Sequence, residues 1–222
     1  MNIEQARFNM IEQQIRPWDV LDTHVLQLLA VVKREDFVPL ALKALAFVDM
    51  DVPFGDIAKG QSMLSPKVEA RMLQDLNVQK YEKVLEIGTG TGYTAALLAH
   101  RAQFVTTLEI DAAVAKTASD NLENADVYNA KVIVADGSAA LPSKAQGPFD
   151  VIVLSGSVAQ IPAKLLQQLK VGGRCMAIVG DEPVMHATLV KRISDTVFET
   201  QQNWDTVAPR LSGFAETPRF TF

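Results

Sequence analysis

Apolar positions along the chain change period twice. At the amino end they recur at helical spacing, first Phe8, Ile11 and Ile15, then Val25, Leu28, Leu29 and Val32 behind a cap at Asp22. That spacing predicts two amphipathic helices parted at Pro17. Between residues 33 and 65, Pro39, Pro53, Gly55 and Gly60 interrupt every pattern that begins, so this stretch reads as loops and short turns. Ser65 and Pro66 then suit the cap and first turn of a third helix, whose buried stripe is Val68, Met72, Leu73 and Leu76.

From Lys83 to Val179 the pattern alternates. KVLEIG, FVTTLEI, AKVIVAD, FDVIVLS and RCMAIVG read as strands, with helices over 93–101, 111–124 and 160–169 between them. Runs this apolar suit strands buried on both faces, and repeated βαβ units predict a mostly parallel sheet with helices on both sides. Ligands in such sheets sit at the carboxyl ends of the strands, where Gly88, Glu109, Asp136 and Ser155 all fall. After Gly180 the runs TLVKRIS and TVFETQQNW predict an antiparallel close to the sheet. One domain over 1–222 is expected: a helical region 1–80 with a candidate substrate loop at 53–66, a βαβ core 81–180 and a β-rich part 181–222.

The densest chemistry lies in KVLEIGTGTG, residues 83–92. Gly88, Gly90 and Gly92 let the backbone turn sharply, and the helix that follows aims its free N–H groups and positive dipole end at whatever the turn holds. A dinucleotide fingerprint would place its third glycine one position later, and a phosphate loop would end in Gly-Lys-Ser/Thr; here Gly92 is followed by Tyr93. A merely structural glycine turn is the bland alternative. Glu109, which follows Gly92 by seventeen positions and closes the next strand, weakens that alternative, because an acid there can accept both hydroxyls of a ribose.

Composition narrows the classes. The net charge is −5 with no basic block, which disfavours nucleic acid as a partner. No apolar run approaches the length of a membrane span and the first residues are polar, so a soluble, cytoplasmic protein with no membrane partner is expected. The single cysteine, Cys175, lies in an apolar run and reads as a small buried hydrophobe. His24, His100 and His186 are scattered in no ligand-like spacing, so no metal site is expected.

G-x-G-x-G after a strand bearing the acid Glu86 resembles motif I of the S-adenosylmethionine-dependent methyltransferases. Longer stretches resemble one family of these, the protein-L-isoaspartate O-methyltransferases: QQIRPWDVLDTHVLQLLAVVKREDFVP, DMDVPFG, KGQSMLSP, LEIGTGTGYTAALLA, the ADG at 135–137, FDVIVLSGSVAQIP and QLKVGGR, in that order. The resemblance implies a Rossmann-like α/β sandwich, S-adenosyl-L-methionine as cofactor and isoaspartyl peptides or proteins as substrate, in protein repair. It implies that Gly88, Thr89, Gly90 and Gly92, with Glu86 and Ser155 nearby, line the methionine end of the cofactor. Glu109 and Ile110 would lie at the ribose, and Asp136 and Gly137 would flank the adenine. Asp136 reads equally as a turn residue before Gly137.

The likeness breaks at the loop. The family pattern Gly-Gln-Thr-Ile-Ser, one residue, Pro is here GQSMLSP: Ser62 keeps a hydroxyl at the threonine place, but Leu64 occupies the serine place. Ser62 and Ser65 are the candidate catalytic hydroxyls, Ser65 being read also as a plain helix cap. The loop between Gly55 and Gly60 is a few residues longer than usual, and VAPRL at 207–211 replaces the family's Phe-Val-Pro-Leu. Leucine offers no donor, so Leu64 predicts weak isoaspartyl methylation unless Ser62 and Ser65 compensate. Another acceptor on the same fold, or a non-catalytic cofactor-binding relative, are the alternatives this departure leaves.

Overall fold

The computed structural model describes residues 2–216. In chain order the elements are α1 (Ile3–Asn9), α2 (Thr23–Val31), the short strands β1 (Val52–Pro53) and β2 (Ser62–Met63), α3 (Pro66–Leu76), β3 (Lys83–Ile87), α4 (Tyr93–Arg101), β4 (Phe104–Glu109), α5 (Ala112–Asn124), β5 (Ala130–Val134), β6 (Phe149–Val158), α6 (Ala163–Leu166), β7 (Leu169–Asp181), β8 (Val184–Arg192) and β9 (Phe198–Thr206). β1 and β2 pair with each other, and the other strands form one seven-stranded sheet of order β5-β4-β3-β6-β7-β8-β9. Pairing is parallel from β5 to β7 and antiparallel from β7 to β9, the expected mostly parallel sheet with an antiparallel close.

Alternation along the central strands supplies two cores. Val84, Val105, Val151, Val153, Met176 and Ile178 pack on one face against α2, α3 and α4. Leu85, Ile87, Leu108, Ile152, Leu154 and Cys175 pack on the other with Leu165 of α6 and Phe214. Both faces being covered is what makes these strands read as continuous apolar runs. Cys175 is fully buried, which pushes its thiol up to about 12. Among the described residues no helix is long and apolar enough to cross a membrane.

The structure differs from the sequence expectations in four places. The helix expected over 160–169 is only Ala163–Leu166. Gln168 ends it, its carbonyl accepting Phe149 N–H and its side chain accepting Gly147 N–H, so Leu169 enters β7 beside Phe149. Phe8 was expected in the first buried stripe but is 57% exposed, because α1 widens into a π-helical stretch at Met10–Ile15 that turns Met10, Ile11 and Ile15 inward. The stretch 33–65 holds more regular structure than loops and turns, namely a 3₁₀ helix at Leu40–Phe47 and the β1–β2 pair. The strands ending at Ile110 and Asp136 in the sequence reading stop at Glu109 and Val134, and Ile110 is about half exposed. Of the expected C-terminal part, 217–222 lie outside the described residues.

The corner between α3 and β3 is fastened by Arg174 of β7. Its guanidinium donates to the carbonyls of Leu76 and Asn77 and to both carboxylate oxygens of Glu82, at 2.7 and 2.9 Å. Arg174→Ala takes two donors from a nearly buried carboxylate, leaving it the Gln79 N–H, and one from each of two carbonyls, of which Asn77 keeps the Gln79 amide. Urea denaturation is expected to show a loss of about 2–4 kcal/mol; a loss below about 0.5 kcal/mol, the scale of an ordinary surface change, would show that the corner holds without it.

Candidate active site

The sheet order reverses between β3 and β6, and their carboxyl ends part to leave a crevice, the usual ligand position in open α/β sheets. The glycine turn after β3 forms one wall. Gly88 N–H and Thr89 N–H both donate to the Leu108 carbonyl, at 2.9 and 3.2 Å, which draws the turn over the end of β4. Thr89 is further fixed by a 2.6 Å contact between its hydroxyl and that of Thr107. Gly90 has φ +53°, and a Cβ there would stand 3.2 Å from the Phe54 ring, so both the conformation and the space call for glycine. Gly92 caps α4 and starts its run of apolar residues toward the core.

The crevice encloses a cavity of about 290 Å³. Gly88, Gly90, Glu109, Ile110, Gly137 and Ser155 line it from the sheet end, Gly60, Gln61 and Ser62 from the loop above, and Arg210, Leu211 and Phe214 from the segment after β9. Glu109 bridges two walls: one carboxylate oxygen accepts Gly90 N–H at 2.9 Å and the other Asp111 N–H at 3.1 Å. Burial pushes its pKa up, and those backbone donors pull it down. Glu86 lies fully buried at the end of β3. Its Oε1 accepts the Ser155 hydroxyl at 2.7 Å, while its Oε2 has no partner. Burial pushes its carboxyl up to about 7, against the opposing Ser155 bond.

Several sequence-predicted residues meet here and others do not. Gly88, Gly90, Glu109, Ile110, Gly137, Ser155 and Ser62 share the cavity wall. Thr89 faces a smaller void of about 20 Å³, shared with Ser62, Leu64, Glu69, Thr94 and Ser155. Asp136 is outside the lining of both: its Oδ1 accepts the N–H and hydroxyl of Ser138, at 2.8 and 2.7 Å, the turn role that was its alternative reading. Ser65 is also outside both. It occupies the cap position of α3, but its hydroxyl makes no cap bond there. Leu64 is 4% exposed and packed into the core.

Sequence reasoning missed two features. One is a buried pair behind the loop, in which Arg34 donates to Glu69 at 2.5 Å and to the Leu64 carbonyl at 2.9 Å, while Thr94 donates to the other oxygen of Glu69 at 3.3 Å. Burial pushes Glu69 up and the Arg34 charge opposes it. Its only signal was an acid beside the apolar stripe of α3. The other is the roof. Residues 207–214 run back over the sheet, where Ser157 N–H donates to the Pro209 carbonyl at 2.7 Å and Leu211 N–H to the Ser157 carbonyl at 2.9 Å. This seats Leu211 over Gly88, 2.6 Å from where a Cβ would stand. Nothing in the sequence pattern marks that return.

Residues 5–208 match the model of the family described as Protein-L-isoaspartate(D-aspartate) O-methyltransferase. The chain belongs to that family. Among relatives, it is 39% identical over 191 residues to a protein-L-isoaspartate O-methyltransferase of Syntrophobacter fumaroxidans, covering 86% of this chain and 87% of the relative. It is 40% identical over 186 residues to one of Koribacter versatilis, covering 84% and 81%. A structure of this kind from Plasmodium falciparum, solved with S-adenosyl-L-homocysteine, superposes with a TM-score of 0.75 at 16% identity, covering 96% of this chain and all of that one. A second, described as a protein-L-isoaspartate O-methyltransferase, gives 0.77 at 23% identity, covering 95% and 66%. These two show the shared methyltransferase fold.

Within this family fold, Glu86 ties the site to pH. Its folded pKa, about 7, lies above the ordinary 4.5, so the folded state holds a proton that the unfolded state releases between those values. Stability is therefore greatest, as far as Glu86 contributes, below pH 4.5 and falls as pH rises to about 7. Replacing it by glutamine should flatten that part of the profile, making Glu86→Gln more stable than the parent at pH 8 by on the order of 2 kcal/mol. Parallel profiles for parent and variant in urea melts across pH 4–8 would contradict this.

Proposed function

We propose that this chain transfers the methyl group of S-adenosyl-L-methionine to the carboxylate of isoaspartyl residues in damaged proteins, as a cytoplasmic repair enzyme. The observation that carries this reading is the meeting of glycine turn, Glu109 and Ser62 around one cavity at the switch point of the sheet. The cofactor fits the residues present. Glu109 already holds Gly90 and Asp111 and has lone pairs left for two ribose hydroxyls. Glu86 lines neither void; its buried carboxylate accepts the Ser155 hydroxyl and so fixes a residue of the cavity wall. Gly88 and Gly90 line the cavity with bare backbone, their missing side chains leaving room for Leu211 and for the Phe54 ring. Gly137 presents backbone to the adenine, and Asp136 serves it by holding the turn through Ser138.

Bound there, the cofactor supplies a methyl group already activated on a cationic sulfur. An isoaspartyl carboxylate is ionised at neutral pH and needs no general base. The work of the protein is alignment and exclusion of water. Ser62, on the rim, is the hydroxyl that would orient the acceptor; Ser65 starts α3 through its carbonyl, which accepts the N–H groups of Val68 and Glu69. The burial of Leu64 favours a second reading, the same transfer to a different carboxylate, and the net charge of −5 speaks against a nucleic-acid acceptor.

Calorimetry is expected to show binding of S-adenosylmethionine or its demethylated product, weakened at least tenfold in Gly90→Val and in Glu109→Ala, on a scale of ~1.5–3 kcal/mol for each charge-assisted bond lost. A parent protein that binds neither would end the cofactor reading. In a methyl-transfer assay an isoaspartyl peptide should be labelled and its aspartyl counterpart should not; labelling of neither, with cofactor bound, moves the acceptor elsewhere. EDTA should leave the rate unchanged, and loss restored by a divalent ion would reveal a metal.

A further inference from the structure

Resting on the isoaspartyl reading above, we propose that Lys59 holds the acceptor carboxylate in this chain. The cavity under the glycine turn opens into a neighbouring groove of about 870 Å³, and Ser62 and Lys59 lie on the boundary, lining both. An anionic acceptor entering there meets acids on either side: Glu109 and Asp111 in the cavity, Asp51 and Glu182 in the groove. At close range in a partly dry site each such pair repels, so a cation is needed at the boundary to make entry favourable.

Among the described residues, two cations stand on that boundary, Lys59 and Arg210. Arg210 is tied to its own surroundings: its Nη2 donates to the Gly180 carbonyl at 2.9 Å and to Asp181 at 2.5 Å, while its Nη1 is buried without a hydrogen-bond partner. Lys59 is not. Its side chain is 67% exposed, and the ion pair it makes, with Asp56, is a loose 3.9 Å. Its charge also reaches into the cavity mouth, where Asp111, held low first by the Val114 and Ala113 N–H groups, is lowered further by Lys59.

The root of the side chain is fixed while its end is free. Lys59 closes the 3₁₀ turn Ile57–Lys59, which Asp56 caps through Ala58 N–H at 3.0 Å. The Ser212 hydroxyl donates to the Lys59 carbonyl at 3.1 Å, and Gly60, at φ +73°, packs against the Arg210 carbonyl. The hydroxyls cannot do the same work alone: Leu64 has none and is buried, Ser65 lines neither space, and Ser212 is engaged with Lys59.

Steady-state methylation of an isoaspartyl peptide by the parent, Lys59→Gln and Lys59→Arg, at low and high salt, tests this. Lys59→Gln should raise KM about tenfold at low salt with kcat and cofactor affinity nearly unchanged, and Lys59→Arg should keep most of the parent KM. The parent KM should rise with salt and that of Lys59→Gln should not. An active parent whose KM survives Lys59→Gln, or equal damage from Gln and Arg, overturns the role of Lys59 and leaves the isoaspartyl reading intact. A parent that binds cofactor and does not methylate the peptide at any salt overturns that reading, and this proposal with it.

Discussion

Everything at the ligand end of this molecule depends on a carboxylate that has been taken out of water and given backbone partners instead. Glu109 closes β4, and by accepting the N–H of Gly90 with one oxygen and that of Asp111 with the other it locks the glycine turn to the start of α5. Burial disfavours its charge and pushes its pKa up, and the two donors oppose that shift without cancelling it. The double acceptance by the Leu108 carbonyl, from Gly88 and Thr89, completes the clamp one residue earlier. Remove the charge and the crevice loses its fixed width.

The loop above the crevice obeys a different logic. Leu64 is anchored by apolar burial and by the Arg34 contact to its carbonyl, so the residue that removes a hydroxyl from the acceptor side also stiffens the chain that carries Ser62. Glu69, held between Arg34 and Thr94, ties that same loop to the first turn of α4. Positional precision here comes from packing and a buried ion pair, which favours a defined geometry more than it favours stability.

Much of this was legible in the sequence, for physical reasons that differ by region. The core strands announced themselves because Val84 and Leu85, or Val151 and Ile152, are both buried, each toward its own face, and the glycines between β3 and α4 have no other economical use. Glu109 was legible because strand ends and helix caps set its distance from the turn. Phe8 misled because a π-helical turn shifts the stripe by an amount that no spacing rule at 3.6 residues reveals. α6 misled because Ile161, Leu165, Leu166 and Leu169 satisfy a helix and a helix-to-strand turn equally well, and the choice is made by Phe149 and Gly147 across the sheet. Ser65 and Asp136 were placed by likeness at ligand positions, and the structure puts Ser65 at the cap of α3 and Asp136 in a turn with Ser138, outside the cavity lining, a difference that residue type alone does not mark. The roof was invisible because it is a long-range bridge made by backbone, between Ser157 and Arg210.

That roof has a consequence in time. Residues 207–214 follow every strand of the sheet, yet Leu211 sits on Gly88 and Phe214 packs into the core beneath. A chain emerging from the ribosome therefore completes the glycine turn, Glu109 and Ser155 while their cover is still to be made. The nascent protein has a floor and walls before it has a ceiling, and a water-free pocket exists only once translation has passed the last strand and its tail has folded back. Nicking or truncation before Leu211 would take away the cover over Gly88 and leave the crevice open.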